Sequence, residues 1–370
     1  MFGSFVLNIN DPVVFNVQQV PAVSIKSDSF YRTTVFSGLM IEKKQQRYFM
    51  LEIICPVAGK FDSIEAVKSF ASRRITHVFH DIDGTHSLIR DWVPVMALVN
   101  GAVARYGMFP GNAREVAEAI GRHRNEEFEE ARRFAIESAG LSALTQMEWA
   151  LRMARRLNNT SSEINEKIIA AIWQGAERFE DSGESAEELA LMNKQASELF
   201  RAYEILLLEM CRNENLADAK LHPEKWQVPG SMDFMQFLFD NGAKNYFVTG
   251  AVVEYDSQGN ATGTMAEEVI TLGYPIGKGK LIEQFCGSVW NKKEPKVEIM
   301  RKLCRANNIA PENLLIVGDG RSEISAAVEL GALAISRLDD KSVRQKEIHR
   351  AIGTNLIVSD YREIKNIFRC

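Results

Sequence analysis

A chain of 370 residues, 46% hydrophobic and 25% charged, is too long for one ordinary core and implies two or three lobes. Its formal net charge of −5 argues against the broad basic face of a general nucleic-acid binder, and no run approaches the roughly 18 apolar residues of a membrane helix. Cys55, Cys211, Cys286, Cys304 and Cys370 are odd in number and form no CxxC pair, so neither a disulfide framework nor a zinc site is expected and a reducing cytoplasm is the expected setting.

The opening MFGSFVLNINDPVVF lacks a basic stretch followed by an apolar one, and does not read as a secretion signal. VVFNVQQVPAVSIK and RYFMLEIICPVAG look strand-like, and SIEAVKSFASRR reads as a short helix with Ser63 as its N-cap. Residues 1–74 carry no chemical signature and are expected to form an N-terminal accessory segment. ITHVFH then ends abruptly at DIDGT, as a buried strand delivering polar residues to its tip would. Residues 92–227 are expected to be an inserted all-helical domain. REVAEAIGRHRNEEFEEARRFAIESAG, ALTQMEWALRMARRL, INEKIIAAIWQGAERF and AEELALMNKQASELFRAYEILLLEMCRN place apolar residues at helical spacing, with Gly140 and Asn158–Asn159 as stops. Residues 75–91 and 228–370 would make the other lobe. There MDFMQFLFDNG (helix), KNYFVTG (strand), EPKVEIMRKLCRANN (helix), NLLIVGDG (strand), EISAAVELG (helix), ALAIS (strand) and NLIVS (strand) imply crossover units and a mostly parallel, Rossmann-like α/β sheet. VVEYDSQGNATGTM resembles a hairpin.

Three strand tips carry polar clusters: Asp81-Ile82-Asp83-Gly84-Thr85, Thr249-Gly250, and Gly318-Asp319-Gly320-Arg321-Ser322-Glu323. In an open parallel sheet such tips converge where the strand order reverses. Asp81, Asp83, Asp319 and Glu323 would then crowd together, at a cost that a cation relieves. An all-oxygen donor set favours a hard ion, magnesium above calcium or zinc. Magnesium beside a free carboxylate suits phosphoryl transfer. Thr249 offers a hydroxyl and Gly250 a backbone N–H to phosphate oxygens, Gly84 allows close approach of the main chain, and a lysine should complete the cradle.

This constellation resembles the haloacid dehalogenase (HAD) superfamily of hydrolases. DIDGT matches its first motif, YFVTG its second and IVGDGRSE its fourth, while Lys296, or else Lys293, matches the lysine of the third. The likeness covers residues from about 75 onward, with the helical segment as a cap domain. It implies a HAD-type phosphatase in which Asp81 is the nucleophile of an aspartyl-phosphate, Asp83 the acid and then the base, and Thr249 and Lys296 the grip on the phosphoryl group. Asp81, Asp83 through its carbonyl, and Asp319 would hold Mg2+, with Glu323 orienting a metal-bound water. Gly84, Thr85, Gly250, His86 and Gln146 are candidates for substrate contact. Position 86 departs from the family's pattern, which usually has an apolar residue there. His80 and His86 flank the nucleophile, as packing or as substrate contacts; Arg122, His123 and Arg124 would be a solvated face or meet an anion; Trp92 and Trp149 would line the cap side or pack.

The implied function is magnesium-dependent hydrolysis of a phosphorylated small molecule by a monomer or homodimer, with no nucleic-acid or membrane partner. The alternatives are phosphomutase-type transfer, and a weakly active module that binds a phosphorylated ligand or a protein.

Overall fold

Leu314–Gly318 is buried at every position, and in His77–His80 only the first residue is not. Strands apolar on both faces need a layer on each side. A computed structural model, which describes residues 17–18, 31–36, 39–44, 51–57, 59–290 and 294–369, supplies those layers. These two strands lie at the centre of a seven-stranded sheet of order Ile282–Ser288, Lys244–Val252, His77–His80, Leu314–Gly318, Leu333–Arg337, Leu356–Val358, Ile64–Ala66. All its pairings are parallel except the last. Val78, Leu315, Val317 and Ile335 point to one face, against Phe234, Leu238 and Tyr361. Phe79, Tyr246, Val248 and Ile316 point to the other, against Ile299, Met300, Leu303 and Ile324. The chain leaves His77–His80 toward one edge, then returns to build the other half from Leu314–Gly318. The order therefore reverses between these two neighbours, and the crevice opens at their carboxyl ends.

The helical insertion has its own core. Helices Trp92–Tyr106, Ala113–Gly121, Glu129–Glu137, Ala143–Leu157, Glu163–Trp173 and Ala186–Leu207 pack around Val99, Val103, Phe134, Met147, Trp149 and Phe200. The long helix expected over 114–140 is two helices. The break lets Phe128 turn against Gly101, where a Cβ would come within 2.2 Å of the ring. Asn112 caps the first of the pair in a reciprocal box with Glu115. Ala186–Leu207 runs through one π-turn, Leu208–Arg212, into Asn213–Ala219. Gly140 and Asn159 both take the left-handed conformation.

The N-terminal residues divide differently from the expectation. Contacts separate Met1–Phe49 from Met50–Cys370. The first unit is an antiparallel sheet of Val17–Gln18, Leu39–Lys44 and Tyr31–Phe36; the rest of VVFNVQQVPAVSIK lies outside the described residues. Residues 51–74 join the second unit. Glu52–Ile53 pairs with Arg73–Arg74 and Phe368–Arg369, and the helix expected over SIEAVKSFASRR is instead the edge strand Ile64–Ala66. Ser63 does not cap a helix: its N–H and hydroxyl both donate to Glu363, while Ile64 enters the core. Tertiary pairing overrides local propensity here. The hairpin after Val252 forms between Glu254–Tyr255 and Ala261–Thr262, and Asp256 ties its turn by accepting from the N–H groups of Gln258 and Asn260.

Candidate active site

Asp81 sits one residue past its strand, where its N–H still donates to the Val317 carbonyl at 2.9 Å. The next residues wrap around a single acceptor: the N–H groups of Thr85, His86 and Ser87 all reach the Ile82 carbonyl. This coil needs Gly84 at φ +75°, and a Cβ there would lie 2.2 Å from an Asp319 carboxylate oxygen. Only glycine meets both demands. Thr85 donates to Asp319 at 3.1 Å, so the first and third tips are bonded side by side.

Asp81, Asp83, Thr249, Gly250, Lys296 and Asp319 line one pocket with Gln146. Lys296 opens the helix Lys296–Ala306 and is 2% exposed. Its Nζ lies 2.7 Å from Asp81 and also contacts Glu323. Burial opposes its charge, but the two carboxylates outweigh burial and push its pKa above the ordinary value. Asp81 is raised to about 6, by burial that Lys296 only partly offsets. Asp319 is raised well above the usual carboxylate range by burial, then by the charges of Asp81 and Glu323. Asp83 is raised to about 7 by burial, with the Arg90 charge opposing, and its Oδ1 has no partner. Thr249 Oγ1 accepts from the Ala251 N–H at 3.1 Å, leaving its own proton to donate.

Other expected residues lie elsewhere. His86 is fully buried beneath the loop and does not line the pocket. Its Nε2 meets His80 Nδ1 at 2.9 Å, its Nδ1 meets Ser231 at 2.6 Å, and its ring stacks on Tyr361. Burial pushes His80 down to about 3 and His86 well below the ordinary histidine value, so both are neutral wedges. Gly84 and Thr85 act below the pocket: the Gly84 carbonyl accepts from Arg337 and the Thr85 carbonyl from Tyr361. Glu323, expected near a cation, is turned to Lys296, and its Oε2 is buried without a partner. Lys293 lies outside the described residues. Trp149 packs inside the cap, stacked on Phe134 at 4.0 Å. His123 pairs with Glu126 at 2.6 Å and stacks on Tyr106; it and its neighbours Arg122 and Arg124 do not line the pocket.

Two features of the site were not foreseen, the approach of Gly140 to the strand tips and a buried Arg90–Glu268 fork, whereas Trp92 does line the pocket, one of the two places expected for it. Gly140, expected only as a stop, carries the cap onto the tips: Ser322 donates to its carbonyl at 2.5 Å. A Cβ on Gly250 would meet the Leu141 carbonyl at 2.8 Å, and one on Gly320 would meet the Ala139 carbonyl at 2.7 Å. Gln146 braces this segment, accepting from Ser138 and donating to the Leu141 carbonyl. Arg90 forms a buried fork on Glu268, which also accepts from Arg212 at 2.7 Å. Trp92, Met96, Phe200, Tyr203 and Glu204 complete the pocket wall.

Among the described residues, no three His, Cys, Asp or Glu side chains form a ready-made metal cluster, and no helix is long and apolar enough to cross a membrane.

No protein-family model matches the chain, and no curated protein matches it. Among solved structures it is similar to a predicted phosphoglycolate phosphatase from Haemophilus somnus 129PT, at 14% identity and a TM-score of 0.43 over 79% of this chain and 97% of that one. It is similar to a β-phosphoglucomutase from Clostridium difficile, at 12% identity and 0.42 over 79% and 93%. A third is described as a haloacid dehalogenase-like hydrolase from Bacteroides fragilis, at 11% and 0.43 over 79% and 100%. The expected fold, a Rossmann-like, mostly parallel sheet with a helical insertion, is the fold observed; Asp81 and Asp319 follow neighbouring strands, and Thr249 and Gly250 lie near the end of the strand on the other side of His77–His80.

Proposed function

We propose that the chain is a magnesium-dependent phosphohydrolase acting on a phosphorylated small molecule through an aspartyl-phosphate. The observation that carries this reading is the convergence of Asp81, Asp83, Thr249, Lys296 and Asp319 on one pocket. Burial and the neighbouring charge of Asp81 raise the affinity of the Asp319 carboxyl for a proton, which is the donor chemistry a hard cation satisfies in place of a proton. Asp81, Asp319 and the main-chain carbonyl of Asp83 would hold Mg2+, which supplies charge neutralisation at the phosphoryl group.

Asp81 attacks phosphorus as the bond to the leaving oxygen breaks. Asp83, protonated near neutrality by its raised pKa, gives that oxygen its proton. The resulting carboxylate then takes a proton from water, whose oxygen displaces Asp81 and releases phosphate. Lys296 neutralises Asp81 and, with the Thr249 hydroxyl and Gly250 N–H, holds the transferring oxygens. A cytoplasmic setting is supported by Cys55, Cys211, Cys286 and Cys304, all free of disulfides.

The test is phosphate release from p-nitrophenyl phosphate by the full chain. Release should need Mg2+ and fall at least about 10³-fold in Asp81→Asn. Undiminished release in that variant would sink the mechanism.

A further inference from the structure

The part of the pocket lined by Arg90 and Glu204 has a particular electrostatic character. Among the described residues, the cations that line the pocket are Arg90 and Lys296, and Lys296 sits beside Asp81. The Arg90 guanidinium is almost fully occupied: Nε and Nη2 fork onto Glu268, Nη1 donates to Glu204 at 3.3 Å, and Nη2 also donates to Thr264. Glu268 is held in turn by Arg212. Among the described lining residues, an anionic group on the substrate would find no free cation. It would instead face Glu204, which lines the pocket beside Arg90, in a setting of Trp92, Met96, Phe200 and Tyr203. Taking a second anion out of water against a like charge and apolar rings is costly. An uncharged alcohol meets no such penalty: its hydroxyls can donate to Glu204, and its carbon skeleton can lie on the rings.

Resting on the phosphohydrolase reading, we infer that Glu204 and the Arg90–Glu268 fork make this pocket selective for monophosphate esters of uncharged alcohols, excluding substrates that carry a carboxylate or a second phosphate. Glu204 is then a specificity-determining residue. It masks Arg90, and removing its charge would expose a cation to the substrate.

The experiment compares two esters on the same two-carbon skeleton, 2-hydroxyethyl phosphate and 2-phosphoglycolate, which differ in a terminal hydroxymethyl against a carboxylate. The full chain with Mg2+ should prefer the neutral ester by more than roughly tenfold in kcat/KM, the scale of one like-charge contact in a desolvated site. In Glu204→Gln the ratio should shift at least about threefold toward the anionic ester. Because each ratio is taken within one protein sample, loss of folded material does not alter it. If Glu204→Gln fails to fold, Glu204→Ala serves in its place: it also removes the charge that faces the substrate, and the ratio should move the same way. A wild-type ratio below tenfold, or an unmoved ratio in the variants, overturns the inference while leaving the hydrolase reading intact. Absence of phosphate release from both esters and from p-nitrophenyl phosphate overturns the hydrolase reading and the inference with it.

Discussion

Asp83 shows how one side chain links stability to chemistry. Its carboxyl is raised from 3.8 to about 7, chiefly by burial. The folded state therefore binds the proton more tightly than the unfolded chain. The stability from the neutral form is complete below about pH 4 and is lost as pH rises through 7. Asp83→Asn mimics the neutral form, so in metal-free protein it should raise the melting temperature at pH 8 and change it little at pH 4. The same substitution should lower phosphate release by roughly 10²- to 10⁴-fold, because no acid then meets the leaving group. Thermal melts at both pH values, with an activity assay, check both halves; a variant no more stable at pH 8 than the parent would contradict the burial argument. Gly84 makes a second residue-scale case. A side chain there must adopt φ +75° and displace the Asp319 carboxylate. Gly84→Ala should cost on the order of 1–3 kcal/mol in urea unfolding and should raise the Mg2+ concentration needed for half-maximal activity, since a proposed ligand has moved.

At the scale of elements, legibility depended on whether the signal was local. DIDGT and GDG announce themselves because each begins where a buried strand ends, and those strands are neighbours; VTG lies inside Lys244–Val252, the strand on the other side of His77–His80. Ile64–Ala66 was misread because an edge strand of three residues has no period of its own, and Ser63 before it imitates a helix cap. The strand Ile282–Ser288 went unnoticed because, at a sheet edge, it leaves Glu283 and Gln284 outside the core. The Arg90–Glu268 fork spans 178 residues, so no spacing rule could reveal it. That fork joins the segment after DIDGT to the helix Gly263–Thr271, and Arg212 on the π-turn docks the cap helix on the same carboxylate. Glu268→Gln leaves two buried arginines short of their shared counter-charge and should destabilise the chain by roughly 3–5 kcal/mol. Urea denaturation would show this, and a loss below about 1 kcal/mol would mean that the cluster is solvated rather than structural.

For the whole molecule, the question is where the catalytic unit begins. Contacts divide the chain at Phe49 and Met50, whereas sequence character changes only near residue 75. The two boundaries make opposite claims about residues 51–74. Leu51, Ile53 and Ile64 are each buried to 6% exposure or less, and Ile64–Ala66 covers the edge of Leu356–Val358. Removing three such side chains forfeits about 1.5–3 kcal/mol apiece, a large share of the roughly 5–15 kcal/mol that holds a domain folded. It also strips a parallel sheet of its antiparallel edge and leaves a strand open to pairing with other chains. A chain starting at Met50 should therefore stay soluble, melt within a few degrees of the full chain and keep its phosphate release. One starting at Ile75 should melt far lower or aggregate on expression. Equal behaviour of the two truncations would show that residues 51–74 contribute little to the core, and would return the boundary to the place where the sequence alone put it.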